Sequence, residues 1–335
     1  MIKVGLVGCG FMGSMHAACY KALASLGVKV TAVADVRSEY AKKQADKETA
    51  VYDSGMDLIK NADVDVVDIC LPTYLHTSHA VAAMKAGKHV FIEKPICIKD
   101  DEMDLLLEVE RETGMKAQVG QVIRQWTEYA WLKNAVDSGI YGKLLHAQFR
   151  RLSSWPDWAW DNWIHKIENS GGVAIDMHVH DVDYVRYILG EPDTIKAQVY
   201  RDTAGAIQQI NTLFGYGNNV SVSVEAGWEY PATFPFTADF RVKFDNATVV
   251  LSNGVLMVYP NEGDSYKPEL TEEYQDDSDI SGNISSLGGY YNELKYFIEG
   301  LQGKNDLSIA TISESIKSVK LVRREIDDAG GLIRK

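Results

Sequence analysis

The chain has 335 residues, of which 34 are Lys or Arg and 47 are Asp or Glu, so its formal net charge is −13. Nucleic-acid binding needs clustered basic side chains, and this balance argues against it. The length corresponds to about two domains. Hydrophobic residues make up 46% of the chain and charged residues 24%, as in an ordinary globular protein.

The start of the chain resembles a strand more than a targeting segment. Residues Met1 to Val7 lack the apolar core and the small-residue cleavage site of a signal peptide. No apolar run in the sequence approaches the roughly 18 residues of a membrane-spanning helix. No C-x-x-C pair occurs among the four cysteines, which are Cys9, Cys19, Cys70 and Cys97. We therefore expect a reduced, cytoplasmic protein without a membrane partner.

Short apolar runs alternate with amphipathic stretches in the first part of the chain. The apolar runs are Ile2 to Val7, Val28 to Ala34, Val64 to Leu71, His89 to Ile92 and Met115 to Val119. The helical patterns between them are Ser14 to Leu26, Ser38 to Lys47, His76 to Ala86 and Asp100 to Thr113. This alternation predicts an α/β domain over residues 1–122 with a doubly wound, mainly parallel sheet. Residues 123–335 would form a second domain.

The first turn between strand and helix carries a glycine motif. It reads Gly8-Cys9-Gly10-Phe11-Met12-Gly13. In a G-x-G-x-x-G turn, the first glycine permits the tight turn, the second lets a pyrophosphate approach the backbone, and the third allows close packing of helix on strand. The helix N-terminus supplies N–H donors and a positive dipole end. The sequence therefore predicts a dinucleotide-binding Rossmann domain, with Gly8, Gly10, Phe11, Met12 and Gly13 at the cofactor.

An acidic residue, Asp35, ends the second predicted strand. A carboxylate at this position accepts hydrogen bonds from the ribose hydroxyls and repels a 2′-phosphate, which favours NAD. Arg37 follows two residues later and is able to pair with a 2′-phosphate, so NADP stays open. We expect both residues to lie at the cofactor.

Two further motifs follow the third and fourth predicted strands. The first is Leu71-Pro72-Thr73 with His76, and the second is Glu93-Lys94-Pro95. Lys94 would project from the carboxyl end of a parallel strand, where open α/β sheets bind their ligands. An ammonium there can stabilise negative charge that develops on a substrate oxygen.

A third motif lies beyond residue 165. Ser170-Gly171-Gly172 leads into Asp176-Met177-His178-Val179-His180. Together with the glycine turn and Glu93-Lys94-Pro95, it resembles the family of glucose–fructose oxidoreductase, inositol dehydrogenase and the rhizopine-catabolism protein (Gfo/Idh/MocA). These motifs span most of the first 190 residues in the order found in that family.

The resemblance implies roles for particular residues. His180 would be the general base, Asp176 would position the substrate and the histidine, and Lys94 would bind the reacting oxygen. Trp163 would join these three at the substrate, because the family often has an aromatic residue before its glycine turn. The cofactor residues implied after the third and fourth strands are Leu71, Pro72, Thr73, His76, Glu93 and Lys94. The family also implies a cis peptide bond before Pro95.

The apolar spacing after Gly172 predicts a helix that carries Asp176 and His180. Residues four apart on an α-helix differ by about 40° and residues two apart by about 200°. Asp176 and His180 would then share a face with Asp183, whereas His178 would point away and pack. On a strand, His178 and His180 would point together and could hold a metal. The helical spacing argues against this, and we expect no metal site.

Tryptophan is unevenly distributed. Six of the seven tryptophans fall between Trp126 and Trp163, and Trp228 is the seventh. Indole faces pack on sugar C–H surfaces, and the stretch from Trp155 to Trp163 also carries Asp and Asn. The alternative is that these indoles fill a domain junction or a subunit interface. Both interpretations stay open.

The remainder of the chain predicts an α+β domain with an open, mainly antiparallel sheet. Its predicted strands are Lys143 to Leu152, Ile195 to Arg201, Ala206 to Tyr216, Asn219 to Trp228, Phe236 to Phe244 and Thr248 to Tyr259. Its predicted helices are Gln125 to Asp137, Tyr290 to Leu301 and Thr311 to Asp328, and the acidic stretch Pro260 to Ser281 is expected to be a loop. By resemblance, the open face of the sheet would form a homodimer or homotetramer.

The residues and the resemblance together predict an NAD(P)-dependent oxidoreductase. It would interconvert a secondary alcohol and a ketone on a sugar, cyclitol or related polyol by hydride transfer. One alternative is a relative that oxidises its substrate transiently to cleave a glycosidic bond, with no net redox change. Another is a sensor that binds nucleotide and sugar without chemistry.

Overall fold

A computed structural model describes residues 1–157, 159–217, 219–271 and 287–332. The chain divides into two compact units. The first comprises Met1–Gln125 and Glu273–Lys317, and the second comprises Trp126–Glu272 and Ser318–Lys335. None of the described helices combines the length and the apolar character that crossing a membrane requires.

The first unit is built on a six-stranded sheet. Its strands are β1 Ile2–Val7, β2 Val28–Ala34, β3 Ala50–Tyr52, β4 Val66–Ile69, β5 His89–Glu93 and β6 Ala117–Gly120, in the spatial order β3-β2-β1-β4-β5-β6. All the pairs are parallel. The order reverses at β1, so the carboxyl ends of β1 and β4 flank the crevice in which doubly wound folds bind their ligands. The predicted fold class of the N-terminal half is confirmed.

Helices connect these strands. They are α1 Phe11–Ala22, α2 Ser38–Gln44, α3 Gly55–Asn61, α4 His76–Lys85 and α5 Asp100–Thr113, with short 3-10 turns at Leu23–Leu26, Thr73–Leu75 and Val122–Gln125. Strand β3 and helix α3 were not predicted from the sequence. The strand has only three residues, two of them exposed, so its apolar signal is weak.

The first unit also contains a segment from near the end of the chain. Helix α9 Gly288–Leu301 places Leu294, Phe297 and Ile298 in one buried cluster with Tyr20 and Phe91. A single boundary near residue 122 therefore does not divide the chain into its compact units. The apolar stripe of α9 is buried in the first unit, although most of residues 123–335 belong to the second.

The second unit is built on a seven-stranded sheet. Its strands are β7 Leu144–Ser154, β8 Thr194–Arg201, β9 Ile207–Tyr216, β10 Val220–Tyr230, β11 Thr237–Phe244, β12 Ala247–Ser252 and β13 Val255–Pro260, in the order β13-β12-β11-β7-β10-β9-β8. The pair β7–β10 is parallel and the other pairs are antiparallel. This confirms the mainly antiparallel sheet. The predicted strand from Thr248 to Tyr259 is a hairpin, because Asn253 and Gly254 turn the chain with φ of 50° and 71°.

The helical segments of the second unit are fewer. They are α6 Thr127–Ser138, a 3-10 segment Trp160–His165, α7 Ile167–Ser170, a π-helical turn Ala174–His178 and α8 Val179–Leu189. The last helix, α10 Ile312–Asp328, contributes its residues from Ser318 onward. Tyr129, Phe149, Tyr184 and Phe240 form an aromatic core between α6, α8 and the sheet, with ring centroids 4.9 to 5.7 Å apart for the pairs Tyr129–Tyr184 and Phe149–Phe240.

The acidic stretch predicted as a loop is described only in part. Residues 261–271 form a loop in which Tyr266 makes an isolated bridge to Val258. The rest of that stretch lies outside the described residues, as does Trp158.

Candidate active site

The glycine turn joins β1 to α1, and two of its glycines are required by the backbone. Gly8 has φ of 88°, and a Cβ atom there would lie 2.3 Å from the carbonyl oxygen of Cys70. A Cβ atom on Gly13 would lie 1.9 Å from the carbonyl oxygen of Gly8. Both distances are far inside van der Waals contact, so these positions allow the turn and the close packing of α1 that the sequence predicted.

Gly10 differs from the other two glycines. The nearest atom to a Cβ built there is Nη2 of Arg37 at 3.5 Å, so the protein itself leaves room for a side chain. Gly10 is also the residue that precedes α1, and it provides no side-chain cap for that helix. A bare backbone before a helix N-terminus is what a pyrophosphate needs. The residues present therefore fit a dinucleotide, held by the turn from Gly8 to Gly13.

The contrast between Gly10 and Gly13 gives a matched pair of variants. Gly10→Ala should keep the free energy of unfolding within about 1 kcal/mol of the wild type, because alanine fits this backbone without a clash. It should weaken NAD binding by about tenfold or more, since the methyl group occupies the approach to the backbone. Gly13→Ala should instead destabilise the first unit. Urea unfolding and NAD titration check both, and equal effects of the two variants on unfolding would contradict the assignment.

Asp35, at the end of β2, is already engaged within the protein. Its Oδ2 atom accepts a hydrogen bond from the N–H of Cys9 at 2.8 Å, and its Oδ1 atom accepts one from the N–H of Arg37 at 2.8 Å. The side chain of Arg37 pairs with the same carboxylate at 3.2 Å and stacks on Tyr40, 3.8 Å from its ring centre. Asp35 therefore orders the glycine turn in addition to the role predicted for it, and Arg37 is held by Asp35.

The thiol of Cys9 lies inside this turn. Burial, and then the charge of Asp35, raise the pKa of Cys9 to about 12. The thiol therefore stays protonated at neutral pH and adds no charge to the turn.

His76 links the segments that follow β4 and β5. Its Nε2 atom lies 2.7 Å from the carbonyl oxygen of Leu71, and its Nδ1 atom lies 2.9 Å from that of Pro95. Burial lowers the pKa of His76, so the neutral ring donates to one of these carbonyls at a time. Thr73 is buried beside it, whereas Leu71 and Pro72 are half-buried. His76 therefore connects the segment after β4 to the segment after β5 through the carbonyl groups of Leu71 and Pro95.

Lys94 follows β5 directly. The peptide bond between Lys94 and Pro95 is cis, as the resemblance implied. The backbone N–H of Lys94 donates to Oε2 of Glu93 at 3.0 Å, and the side chain of Lys94 is half-buried. Glu93 itself is buried and turned into the first unit. The structure thus places Lys94 at the same sheet edge as the glycine turn, Asp35 and Leu71, one strand further along.

In the second unit, a tight turn precedes the residues predicted for catalysis. Gly171 and Gly172 both have positive φ, of 75° and 65°, and Oγ of Ser170 donates to the carbonyl oxygen of Ile164 at 2.6 Å. The N–H of Gly172 donates back to that Oγ at 3.0 Å. A Cβ atom on Gly171 would lie 2.5 Å from Cβ of Ile175, so a side chain does not fit there. This turn fixes where the following helix begins.

The helix predicted after Gly172 begins as a π-helical turn, Ala174–His178, and continues as α8. Turns of this kind are frequent at functional sites. Asp176 lies in the π-helical turn and His180 in the first turn of α8, and both side chains are half-buried. Asp183 does not share this exposure. It is buried, and its Oδ1 atom accepts a hydrogen bond from Oγ of Ser318 at 2.6 Å.

The other polar residues of this segment have partners elsewhere in the second unit. His178 is fully buried, and its Nε2 atom lies 2.7 Å from Oε2 of Glu325, which also accepts a hydrogen bond from Thr212. Asp181 forms a buried ion pair with Arg151 at 2.8 Å. The packed role predicted for His178 is confirmed. His178 and Asp181 therefore serve the interior of the unit, and the predicted catalytic pair stays at its surface.

The tryptophans of the unit fall into two groups. Trp155 stacks on His165 with ring centres 4.4 Å apart and meets Trp228 edge-on at 6.0 Å. Trp126 and Trp131 contact Tyr129 and Tyr141, so these indoles pack. Trp160 is 45% exposed and Trp163 is half-buried. Among the described tryptophans, Trp160 on the segment Trp160–His165 exposes enough indole surface to count as exposed.

Several residues that complete these arrangements were not predicted. In the first unit they are His16 and Glu293, and in the second they are Arg151 and Glu325. Glu293 and Glu325 each interrupt an apolar stripe of a helix, which is the one sequence feature that could have indicated them.

Comparison with known proteins agrees with this architecture. Residues 2–121 match the profile described as "Oxidoreductase family, NAD-binding Rossmann fold", and residues 129–256 match the GFO/IDH/MocA C-terminal domain. These matches confirm the predicted NAD-binding domain.

Two of the named relatives are inositol dehydrogenases. Inositol 2-dehydrogenase of Salmonella typhimurium is 31% identical over 212 residues, which is 61% of this chain and 59% of that protein. The chain thus matches less than two thirds of that relative's length. The scyllo-inositol 2-dehydrogenase (NAD(+)) of Bacillus subtilis is 28% identical over 72% of this chain and 70% of its own.

Solved structures show the same fold. Levoglucosan dehydrogenase, in a complex with NADH and levoglucosan, superimposes with a TM-score of 0.81 at 19% identity, covering 98% of this chain and 97% of that one. At this identity the similarity concerns the fold. The two domain profiles cover most of the chain, and the protein therefore belongs to the Gfo/Idh/MocA oxidoreductase family.

Proposed function

We propose that the protein is an NAD-dependent dehydrogenase that interconverts a secondary alcohol and a ketone on a cyclitol, sugar or related polyol. The observation that carries the proposal is the pairing of two half-buried polar residues, Asp176 and His180, on a π-helical turn and the helix it starts. Their neighbours His178 and Asp181 pair with Glu325 and Arg151 in the interior, whereas Asp176 and His180 are only half-buried.

Lys94 lies in the first unit, and Asp176 and His180 lie in the second. We propose a role in the reaction for each of the three and a substrate-binding role for Trp163. Histidine is the side-chain type suited to accept a proton at neutral pH, and we assign acceptance of the hydroxyl proton to His180. Asp176 orients the imidazole and the substrate. The ammonium of Lys94 donates to the reacting oxygen and stabilises charge that develops on it.

The bound cofactor supplies the site that accepts or returns the hydride. The protein's part is to hold that group and exclude competing reactions. The residues for holding it are the turn from Gly8 to Gly13, Asp35, Arg37, the segment from Leu71 to Thr73, and Glu93 with Lys94. His76 belongs to this set through the two carbonyls that it contacts.

A panel of cyclitols, sugars and polyols tests the proposal. With NAD present, at least one member should give reduced nicotinamide together with an equivalent of ketone. If no member is turned over in either direction, with NAD or NADP and their reduced forms, the proposal fails.

The carboxylate of Asp35 supports a preference for NAD over NADP. Asp35→Ser should lower the ratio of the two catalytic efficiencies by at least about tenfold, because it removes the charge that repels a 2′-phosphate. It should also cost about 1 kcal/mol of stability, since the N–H of Cys9 loses its acceptor. Steady-state kinetics with both cofactors measure the ratio. Asp53→Ser, at an exposed position after β3, is the control, and equal ratios in the two variants would contradict the assignment.

We also propose a homodimer or homotetramer that forms through the sheet of the second unit. Strands β8 and β9 expose Tyr200 by 59% and Leu213 by 50% on one side of the sheet. Exposed apolar side chains on a sheet face favour a protein partner. Light scattering that shows a monomer at micromolar concentration would contradict this. The cytoplasmic location stays a prediction.

A further inference from the structure

The first unit contains a buried cluster of four ionisable side chains that the proposed chemistry does not use directly. His16 lies on α1, Asp68 on β4, Glu93 at the end of β5 and Glu293 on α9. They are 0%, 0%, 5% and 1% exposed. Burial of this many carboxyl groups is costly unless each is paired or neutral, so their protonation states must be coordinated.

His16 stands between two carboxylates. Its Nδ1 atom lies 2.9 Å from Oδ2 of Asp68, and its Nε2 atom lies 3.1 Å from Oε1 of Glu93. The contact of Nδ1 with Asp68 is a hydrogen bond, whereas the contact of Nε2 with Glu93 is an ion-pair contact without hydrogen-bond geometry. An imidazolium is attracted to both carboxylates. Burial by itself would lower the pKa of His16, but the charge and hydrogen bond of Asp68 together with the contact to Cys70 outweigh it, and the pKa is raised well above its ordinary value. Geometry and charge therefore agree on an imidazolium.

Glu293 is the fourth member and has a different environment. One of its carboxyl oxygens lies within 4.8 Å of the facing atoms of His16 and Glu93, and neither oxygen makes a hydrogen bond among the described residues. Burial, and then the charge of Glu93, raise the pKa of Glu293 well above its ordinary value. A neutral carboxylic acid at this position avoids a second buried negative charge beside Glu93.

Glu93 connects the cluster to the proposed active site. One of its oxygens faces His16, and the other accepts the backbone N–H of Lys94 at 3.0 Å. Gly120 on β6 leaves room for this carboxylate, because a Cβ atom there would lie 3.3 Å from Oε1 of Glu93. Fixing both oxygens fixes the backbone from which the side chain of Lys94 leaves.

We propose that His16 is a positioning residue for Lys94. Its imidazolium, hydrogen-bonded to Asp68, forms an ion pair with the carboxylate of Glu93, which holds the Lys94 backbone, and Glu293 completes the cluster as a neutral acid. The effect of His16 on turnover rests on the proposed function of Lys94. The protonation states of His16 and Glu293 do not rest on that function, and they are tested without substrate.

The stability of ligand-free Glu293→Gln against pH tests the proton placement. A raised folded-state pKa gives Glu293 a contribution to stability that is present below its unfolded pKa and is lost as pH rises through the folded pKa. The urea resistance of the wild type relative to Glu293→Gln should therefore fall as pH rises above the unfolded glutamate pKa of about 4.3. An offset between the two urea midpoints that is independent of pH would overturn the neutral Glu293.

Other titrating groups face the cluster and are common to both proteins. They are Tyr20 on α1, Cys70 after β4, Tyr290 on α9 and Lys94. Burial raises the pKa of Tyr20 and of Cys70 well above their ordinary values, so both stay neutral at neutral pH and below. The difference between wild type and Glu293→Gln therefore isolates Glu293.

A spectroscopic measurement tests the link from His16 to Lys94. The lysines are dimethylated with ¹³C-formaldehyde, and the Lys94 signal is assigned by its loss in Lys94→Arg. His16→Gln should shift this signal and its titration, whereas His79→Gln, a buried histidine of α4 outside the cluster, should leave both in place. A Lys94 signal that is the same in His16→Gln and wild type would overturn the positioning role.

Two further measurements separate the proposal from its rivals. If the panel gives turnover, His16→Gln should lower kcat by about tenfold while the Kd for NAD stays within about twofold.

The donor atoms of His16, Glu93 and Glu293 also lie close enough to hold a metal ion. One equivalent of a divalent metal in the purified wild type, lost in His16→Gln, would overturn the proton assignment. Absence of turnover would contradict the proposed function. The proposal for the cluster would then be tested by the pH and spectroscopic measurements alone, which need no substrate.

Discussion

Lys94→Met is expected to lower kcat by about 10²- to 10³-fold, because it removes the donor that stabilises charge on the reacting oxygen. Methionine keeps the length of the side chain, and the backbone N–H that donates to Glu93 is unchanged. The Kd for NAD should therefore stay within a few-fold of the wild-type value. Single-turnover kinetics and NAD titration measure the two quantities separately.

Lys85→Met provides the matched control for this variant. Lys85 lies in the last turn of α4 and is exposed, so its substitution removes one charge from the same unit without touching the proposed site. Its turnover should equal that of the wild type. If kcat is the same for Lys94→Met and Lys85→Met, Lys94 does not take part in the reaction.

Substitution of His180 is expected to lower turnover, whereas substitution of His178 is expected to lower stability. His180→Ala should lower kcat by about 10²- to 10⁴-fold, since it removes the general base, and should change stability little because the side chain is half-buried. His178→Ala should lower the free energy of unfolding by about 3–5 kcal/mol, because it leaves the buried carboxylate of Glu325 without its histidine partner and, among the described residues, with only Thr212 as a donor.

Urea unfolding and kinetics on the two variants separate these roles. His178→Ala that folds should retain most of the wild-type kcat at a temperature where it is native. The assignment is contradicted if the two substitutions reduce turnover alike, or if His180→Ala is the less stable of the two.

The N-terminal sheet was predictable because its strands are continuous apolar runs between glycines and helices. Strands β1 and β2 have the predicted bounds, since central parallel strands are buried on both faces. Strand β3 was missed, because a three-residue strand at the edge of a sheet has too few apolar residues to stand out. The cis peptide bond at Pro95 followed from the resemblance and not from the residues.

The segment that carries Asp176 and His180 was predictable as a helix but not as a π-helical turn. Val179, Val182 and Val185 are buried at a spacing of three residues, as expected for an α-helix, and this spacing gives no sign of the π-helical turn before them. What the sequence could not give is the partner of each polar residue. Glu325 meets His178 across 147 positions, and such pairs depend on how distant elements pack.

The buried cluster around His16 was invisible for the same reason. Its members come from α1, β4, β5 and α9, and each one taken alone resembles an ordinary polar residue. The one local indication is Glu293, which interrupts the apolar stripe of Leu294, Phe297 and Ile298. A charged residue on a stripe that must be buried indicates either a partner or a shifted pKa.

The most direct test of the proposed function follows a hydrogen isotope from substrate to cofactor. The polyol that the panel identifies is prepared with deuterium on the carbon that bears the reacting hydroxyl, and the products are analysed by mass spectrometry. The proposed dehydrogenase should give deuterated reduced nicotinamide and one equivalent of ketone, and His180→Ala should give neither at the wild-type rate. Product that forms without any accumulation of reduced cofactor would contradict a net dehydrogenase and favour transient oxidation, and binding of polyol and NAD without transfer of deuterium would favour a sensor.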